Sequence, residues 1–181
     1  MIRIVWGITG SGDLLPEVTE ELEKLVDMGK VEITTCLSKA AKMVVNWYKL
    51  SERIEKISKR VLHEYDANSP FIAGPLQIGK YNSLLVAPAT ANTVAKIVHG
   101  IADTLITNAV AQAQKGGIEI IVLPVDQKPG KTTTLLPTGE EKTLIMRDID
   151  IENTEKLKGM KGIKVIEVPE DIRNLTLSSS A

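Results

Sequence analysis

Three glycines alternate with hydroxyl-bearing residues in the stretch W-G-I-T-G-S-G-D, which runs from Trp6 to Asp13 behind an apolar segment. Glycine lets a backbone approach an anion closely, and the amide groups at a helix N-terminus carry partial positive charge. Thr9 and Ser11 add hydroxyl groups that can donate hydrogen bonds. The stretch predicts a phosphate-binding loop, and the alternative is a tight strand-to-helix turn that needs glycine for its backbone alone.

The spacing of these glycines argues against a dinucleotide as the ligand. A dinucleotide-binding loop has the pattern G-x-G-x-x-G, and an acidic residue at the end of the second strand holds the ribose hydroxyls. Here the pattern is G-x-x-G-x-G, and the second apolar segment ends in Cys36-Leu37-Ser38 without an acid. The sequence therefore favours a ligand that carries a single phosphate.

A second loop of small polar residues follows a later apolar segment, as Pro88-Ala-Thr-Ala-Asn-Thr93. Its small side chains leave room for a flat ring or a phosphate near the backbone. Thr90, Asn92 and Thr93 can donate or accept hydrogen bonds. The alternative is a helix start that is capped by threonine or asparagine.

Apolar strands alternate with helical patterns along the chain. Continuous apolar runs predict buried strands, and apolar residues at helical spacing predict helices between them. Such an order is typical of an α/β protein with one doubly wound parallel sheet, either Rossmann-like or flavodoxin-like. Ligands bind at the carboxyl ends of the strands in these sheets, so the loops 7–12, 37–39 and 88–93 should share one edge.

The boundaries that this pattern predicts are as follows. We expect one domain over residues 1–174 and a frayed tail over residues 175–181. Strands are predicted over 2–8, 31–37, 84–87, 118–124 and 164–168, and helices over 14–28, 39–50, 51–65, 93–100, 103–115 and 152–160.

The bulk composition excludes several classes of function. The 181 residues carry a formal net charge of −1 with scattered basic residues, which gives no indication of a nucleic-acid surface. The single cysteine, Cys36, excludes an internal disulfide and a metal site built of cysteines. No apolar segment approaches a membrane span and no signal peptide is recognised, so we expect a cytoplasmic protein.

The stretch V-A-P-A-T-A-N-T-V-A-K-I-V-H-G-I-A-D-T-L-I-T-N-A, Val86 to Ala109, resembles a known family motif. It is similar to the P-A-S-A-N-T motif and following helix of the homo-oligomeric flavin-containing cysteine decarboxylase superfamily. The G-I-T-G-S-G opening resembles that superfamily's FMN loop, and with Ser38 the resemblance extends from Met1 to about Val125. It implies bound FMN and a homo-oligomer, either trimer-based or dimeric.

The resemblance also implies which residues surround the FMN, although it assigns no catalytic residue and no metal ligand. Asp103 in G-I-A-D matches a family position whose role is less defined. The implied residues are Gly7, Thr9, Gly10, Ser11, Ser38, Ala89, Thr90, Ala91, Asn92, Thr93 and Asp103.

Two departures from the decarboxylases argue against cysteine decarboxylation. The decarboxylases carry a catalytic histidine ahead of the P-A-S-A-N-T motif, and the matching stretch I-A-G-P-L around Gly74 has none. Their P-x-M-N-x-x-M-W substrate segment is replaced here by P-V-D-Q-K-P-G, Pro124 to Gly130.

The W-G-I-T-G-x-G opening and M-R-D-I-D-I-E-N, Met146 to Asn153, resemble the archaeoflavoproteins and the flavin-dependent dihydromethanopterin reductases. This implies an FMN-dependent oxidoreductase that takes electrons from a reduced donor such as ferredoxin, as a carrier or as the reductase of a pterin. Trp6, Trp47 and Tyr48 are candidates for stacking on a flavin or pterin ring, and the adjacent pair Trp47-Tyr48 is preferred to Trp6. The alternatives are a dipicolinate synthase B-like subunit, another non-redox enzyme of the superfamily, or a binding module without catalysis.

Overall fold

The computed structural model describes the backbone of residues 1–176 and the side chains of residues 1–174. Most of the tail that the sequence predicts to be frayed, residues 175–181, lies outside the described residues. The described strands, numbered in chain order, are β1 (Ile2–Ile8), β2 (Val31–Leu37), β3 (Ser58–His63), β4 (Ser83–Ala89), β5 (Glu119–Pro124), β6 (Lys131–Leu135), β7 (Glu141–Ile145) and β8 (Ile163–Val165).

Helices connect most of these strands, and a 3₁₀ helix over Pro169–Thr176 packs against the first α-helix. The described α-helices are α1 (Leu15–Asp27), α2 (Lys39–Trp47), α3 (Ser51–Ile57), α4 (Ala73–Gln77), α5 (Ala91–Val98), α6 (Leu105–Lys115) and α7 (Asp148–Lys158).

The main sheet has the strand order β3-β2-β1-β4-β5-β8, and every neighbouring pair is parallel. Counting only its own strands, this is the order 3-2-1-4-5-6 of a doubly wound Rossmann sheet. The predicted fold class is therefore confirmed. The strand order reverses between β1 and β4, and in open α/β sheets the ligand crevice lies at such a reversal, outside the carboxyl ends of the strands.

Two hydrophobic clusters, one on each face, bury the central strands. Successive side chains of a strand point to opposite faces, so Trp6 joins the cluster of α1 to α3 and Val5 joins that of α5 and α6. Burial on both faces explains why β1, β4 and β5 are continuous apolar runs. Trp6 is fully buried and its Nε1–H donates to the Ala87 carbonyl at 2.7 Å, so it belongs to the core.

The helix predicted over residues 51–65 is wrong in its second half. The helix α3 ends at Ile57, and the next six residues form β3, which pairs in parallel with β2. β3 is an edge strand with exposed Lys59 and Arg60, and charged side chains on an edge discourage pairing with other chains. Its short polar sequence lacks the apolar run of a buried strand, so tertiary pairing overrode the local pattern.

An antiparallel hairpin of β6 and β7 fills the polar segment after β5. It lies outside the main sheet, and its apolar residues Leu135, Leu144 and Ile145 are exposed. The sequence pattern predicts no strand in this segment. Strands of five residues with little burial give a weak sequence signal.

Candidate functional site

A cleft of about 430 Å³ opens at the carboxyl edge of the main sheet, beside the reversal between β1 and β4. A larger cavity, about 740 Å³, lies at the opposite edge beside Glu119 and Lys164, where doubly wound sheets do not bind their ligands. The cleft is lined by Thr9, Gly10, Ser38, Lys39, Ala40, Glu64, Thr90, Asn92, Thr93, Asp103, Thr104 and Ile106.

Thr9 links the loop after β1 to the loop after β4. Its Oγ1 donates to the Pro88 carbonyl at 2.7 Å and accepts the N–H of Thr90 at 2.9 Å. The side chain is almost fully buried. Because the hydroxyl proton is already donated to Pro88, Thr9 holds the two loops together rather than offering a donor to a ligand.

The glycines of the first loop allow it to lie against α2. A Cβ on Gly10 would lie 2.7 Å from the Cβ of Ala40, and a Cβ on Gly12 would collide with the ring of Tyr48. The amide groups of Gly10, Ser11 and Gly12 have no acceptor within the described residues. The loop therefore presents free backbone donors close to a helix N-terminus, which suits an anion.

Three helix N-termini meet at the cleft, and each is capped by a hydroxyl group. Ser38 Oγ accepts the N–H of Ala41 at 3.0 Å at the start of α2. The caps of α5 and α6 are equivalent: Thr90 Oγ1 accepts from Thr93 at 3.3 Å, and Thr104 Oγ1 from Thr107 at 3.2 Å. The positive ends of three helix dipoles therefore point toward one cavity.

Glu64 is a cleft residue that sequence analysis missed. Its N–H donates to the Leu37 carbonyl at 2.9 Å, which extends the β2–β3 ladder by one residue. Its Oε2 accepts the N–H of Lys39 and its Oε1 the N–H of Leu105, both at 2.9 Å. β2 itself ends without an acidic residue, and the acid beside its end is Glu64, which follows the neighbouring strand β3. A correct assignment of β3 would have revealed Glu64 from the sequence.

The structure brings most of the predicted site residues to the cleft and places four others around it. Gly7 lies within β1 and Ala89 ends β4, so both lie in the sheet beneath the cleft. Ser11 follows Gly10 in the loop, and Ala91 is the first residue of α5. The predicted residues that line the cleft are Thr9, Gly10, Ser38, Thr90, Asn92, Thr93 and Asp103.

Asp103 lies at the rim of the cleft in an ion pair. Lys96 Nζ lies 2.8 Å from its Oδ1, and this hydrogen bond lowers the pKa of the Asp103 carboxyl below its ordinary value. Asp103 therefore remains charged and paired at neutral pH.

The aromatic pair lies beside the cleft rather than in it. The Tyr48 hydroxyl donates to the Leu135 carbonyl at 2.8 Å, and burial raises the pKa of this phenol. Trp47 is more than half exposed. Tyr48 therefore attaches the β6–β7 hairpin to the loop that contains Gly12.

Groups for metal or thiol chemistry are not assembled in the part of the chain that the structure describes. No group of three His, Cys, Asp or Glu residues there could hold a metal ion. The thiol of Cys36 is buried, and this desolvation raises its pKa to about 12. No helix among residues 1–176 is long and apolar enough to cross a membrane.

The protein-family model described as Flavoprotein matches residues 1–177. The chain therefore belongs to the flavoprotein family, and the membership expected from the first loop and the Pro88–Thr93 loop is confirmed. A doubly wound sheet with a cleft of free amides at its carboxyl edge agrees with this family.

Two relatives and one solved structure are similar to this chain over most of its length. An uncharacterized protein of Methanocaldococcus jannaschii is 51% identical, over 98% of this chain and 95% of the relative. Dihydromethanopterin reductase (acceptor) of the same organism is 42% identical to this chain. The matched region covers 78% of this chain and 60% of that reductase. DmrB of Burkholderia xenovorans in complex with FMN, described as a cubic protein cage for redox transfer, has 32% identity and a TM-score of 0.79, covering 98% of this chain and 97% of that one.

Proposed function

We propose that this protein binds FMN in the cleft and acts as an oxidoreductase, accepting electrons from a reduced donor and passing them to a dihydropterin. The observation that carries the proposal is the convergence of the Gly10 loop and the Thr90–Thr93 loop on one cavity with unpaired backbone donors. The flavoprotein family and the FMN-bound relative support the same cofactor.

The residues of the cleft fit a single phosphate. The amides of Gly10, Ser11 and Gly12 are free, and at the start of α5 the amides of Ala91 and Asn92 have no acceptor among the described residues. These groups would hold the phosphate, because a dianion gains charge-assisted hydrogen bonds and the favourable end of the α5 dipole.

The chemistry of such a protein belongs to the flavin, which exchanges electrons and hydride when bound. The task of this chain is then to bind, orient and shield the cofactor. Thr9 fixes the two loops relative to each other. A ring edge that stays accessible would let a donor protein and a flat substrate approach in turn.

The spectrum of the purified protein tests the cofactor proposal. We expect flavin absorbance, or binding of added FMN by the flavin-free protein, and a colourless protein that ignores FMN would contradict the proposal. Asn92→Trp should abolish flavin retention because Asn92 lines the cleft at the first turn of α5. Asn92→Ala is the matched control and should retain the flavin.

Donor and acceptor are tested with the flavin-loaded protein under anaerobic conditions. Reduced ferredoxin should bleach the flavin absorbance, and dihydromethanopterin should then restore it. The names of the reductase relatives support the pterin as acceptor. If the flavin is bleached but not reoxidised by the pterin, the pterin is not the acceptor and the protein is an electron carrier. If no biological donor bleaches the flavin, electron transfer is contradicted.

We also propose that the chain works as a homo-oligomer in the cytoplasm. The cubic cage of the DmrB relative supports an assembly. Exposed apolar side chains on α2 and the hairpin, among them Met43, Trp47 and Ile145, offer surface for contacts between copies. Light scattering after size-exclusion chromatography should give a mass of several chains, and cell fractionation checks the compartment.

A further inference from the structure

The two acidic side chains that line the cleft differ in how their charges are balanced. The Asp103 carboxylate forms an ion pair with Lys96, as described above. Glu64 has no ion pair within the part of the chain that the structure describes, and its carboxylate is bound by backbone amides. Glu64 therefore adds a negative charge to a cavity that otherwise attracts anions.

The Glu64 carboxylate occupies two of the three helix N-termini at the cleft. Lys39 is the first residue of α2 and Leu105 the first residue of α6, and each donates its N–H to one Glu64 oxygen. A carboxylate at this position is stabilised by the unpaired amides and by the helix dipole. The Glu64 carboxylate thus takes up two backbone amide groups that would otherwise be available to an anionic ligand.

The third helix N-terminus, that of α5, has no such anion. Its first turn contains no acidic residue, and the Thr90 hydroxyl caps only the N–H of Thr93. Among the described residues the amides of Ala91 and Asn92 have no acceptor, and Asn92 lines the same cavity as Gly10. The cleft therefore holds one filled anion position and one open anion position.

We propose that Glu64 makes the cleft specific for a flavin with one phosphate. Its carboxylate reserves the position shared by α2 and α6 and leaves the position between Gly10 and α5 for the phosphate of FMN. FAD carries two linked phosphates, and in a cleft of about 430 Å³ the second would lie close to the carboxylate and be repelled. This inference rests on the proposed function and adds the residue that selects among flavins.

The test compares FMN and FAD binding to the flavin-free full-length chain, measured by quenching of flavin fluorescence. Glu64→Gln removes the charge and retains the size, so the ratio of the FAD Kd to the FMN Kd should fall about tenfold or more. Glu64→Asp retains a negative charge in the cleft, although on a shorter side chain, and should keep more of the wild-type preference than Glu64→Gln does. Glu52→Gln removes an equal charge from an exposed position on α3 and should leave the ratio unchanged.

The outcomes separate selection from a merely structural role. If Glu64→Gln weakens FMN and FAD by the same factor, the residue only supports the fold and the inference is overturned. A wild-type chain that binds neither flavin contradicts the proposed function. A wild-type chain that binds FMN while the ratio is insensitive to Glu64→Gln contradicts this inference alone.

A competition experiment on the wild-type chain does not depend on the folding of any variant. Inorganic phosphate and pyrophosphate are titrated against bound FMN. With one open anion position, pyrophosphate should displace FMN no better than phosphate does. Displacement by pyrophosphate at about tenfold lower concentration, equivalent to about 1.4 kcal/mol, would indicate two open positions and overturn the inference.

Discussion

The hydroxyl of Thr9 shows how a residue expected to bind a ligand can have a structural task. It donates to Pro88 and accepts from Thr90, so it joins the two loops on which the cleft depends. Sequence analysis identified Thr9 as part of the site from its position between glycines. The hydrogen-bond partners that define its task lie about 80 residues away in the chain, and only the fold reveals them.

Replacing Thr9 should test this task. Thr9→Val retains the shape but removes the hydroxyl that donates to Pro88 and accepts from Thr90, which leaves the half-buried Thr90 amide without its partner and the Pro88 carbonyl with only the longer bond from the Thr9 N–H. This should lower the free energy of unfolding by about 1–3 kcal/mol. Thr9→Ser keeps the hydroxyl and should lose much less. Chemical denaturation of the flavin-free protein measures both, and equal stability of Thr9→Val and wild type would refute the link.

Gly10 provides a second test at the scale of a single residue. The Cβ of Gly10→Ala would lie 2.7 Å from Ala40 Cβ, so the loop must move away from α2. Because the loop amides would be displaced from the phosphate, we expect FMN affinity to fall about tenfold or more. The double variant Gly10→Ala with Ala40→Gly removes the collision and should recover part of the affinity, and no recovery would argue against this packing explanation.

Among the elements, β3 had the largest consequence for the site. Sequence patterns recognised the buried strands β1, β2, β4 and β5, because apolar and β-branched residues dominate them. The edge strand β3 exposes Lys59 and Arg60 and makes its contacts on one side only, so its sequence resembles the preceding helix. Because β3 was not predicted, Glu64, which directly follows β3 and lines the cleft, was not predicted either.

The contact between α1 and the C-terminal 3₁₀ helix should be sensitive to acid. Arg173 donates two hydrogen bonds to the buried Glu21, and this pairing lowers the pKa of the Glu21 carboxyl from 4.5 to about 2. A lowered folded-state pKa contributes stability above the unfolded value of 4.5, and this contribution is lost as the pH falls toward 2. Wild-type unfolding free energy should therefore decrease over that interval.

The matched variants are Glu21→Gln and Glu20→Gln, measured by denaturation at a series of pH values. Glu21→Gln should be less stable at pH 7 and should lose less stability between pH 5 and pH 2. Glu20 is more exposed, and its one ion pair among the described residues is with Lys24, so Glu20→Gln should stay close to the wild-type profile. A Glu21→Gln profile parallel to wild type would show that the pair does not govern acid stability.

At the scale of the whole molecule, the single cysteine reports on the integrity of the fold. Cys36 lies in β2 within one of the two hydrophobic clusters, and burial raises the pKa of its thiol to about 12. Thiolate is the reactive form, so we expect alkylation by iodoacetamide at pH 8 to be about a hundredfold slower in the native than in the denatured protein. Rapid labelling of the native protein would contradict the buried position.

The sequence by itself determined the class of fold, the flavoprotein family and two of the loops that form the cleft. Buried parallel strands, glycine at a close backbone approach and a hydroxyl-capped helix are local requirements, and local requirements leave local patterns. The tertiary structure alone decided that Thr9 joins the loops, that β3 is a strand, and that Glu64 occupies two helix N-termini. Each of these depends on partners far apart in the chain, and hydrogen bonds between distant segments have no pattern in the sequence of either one.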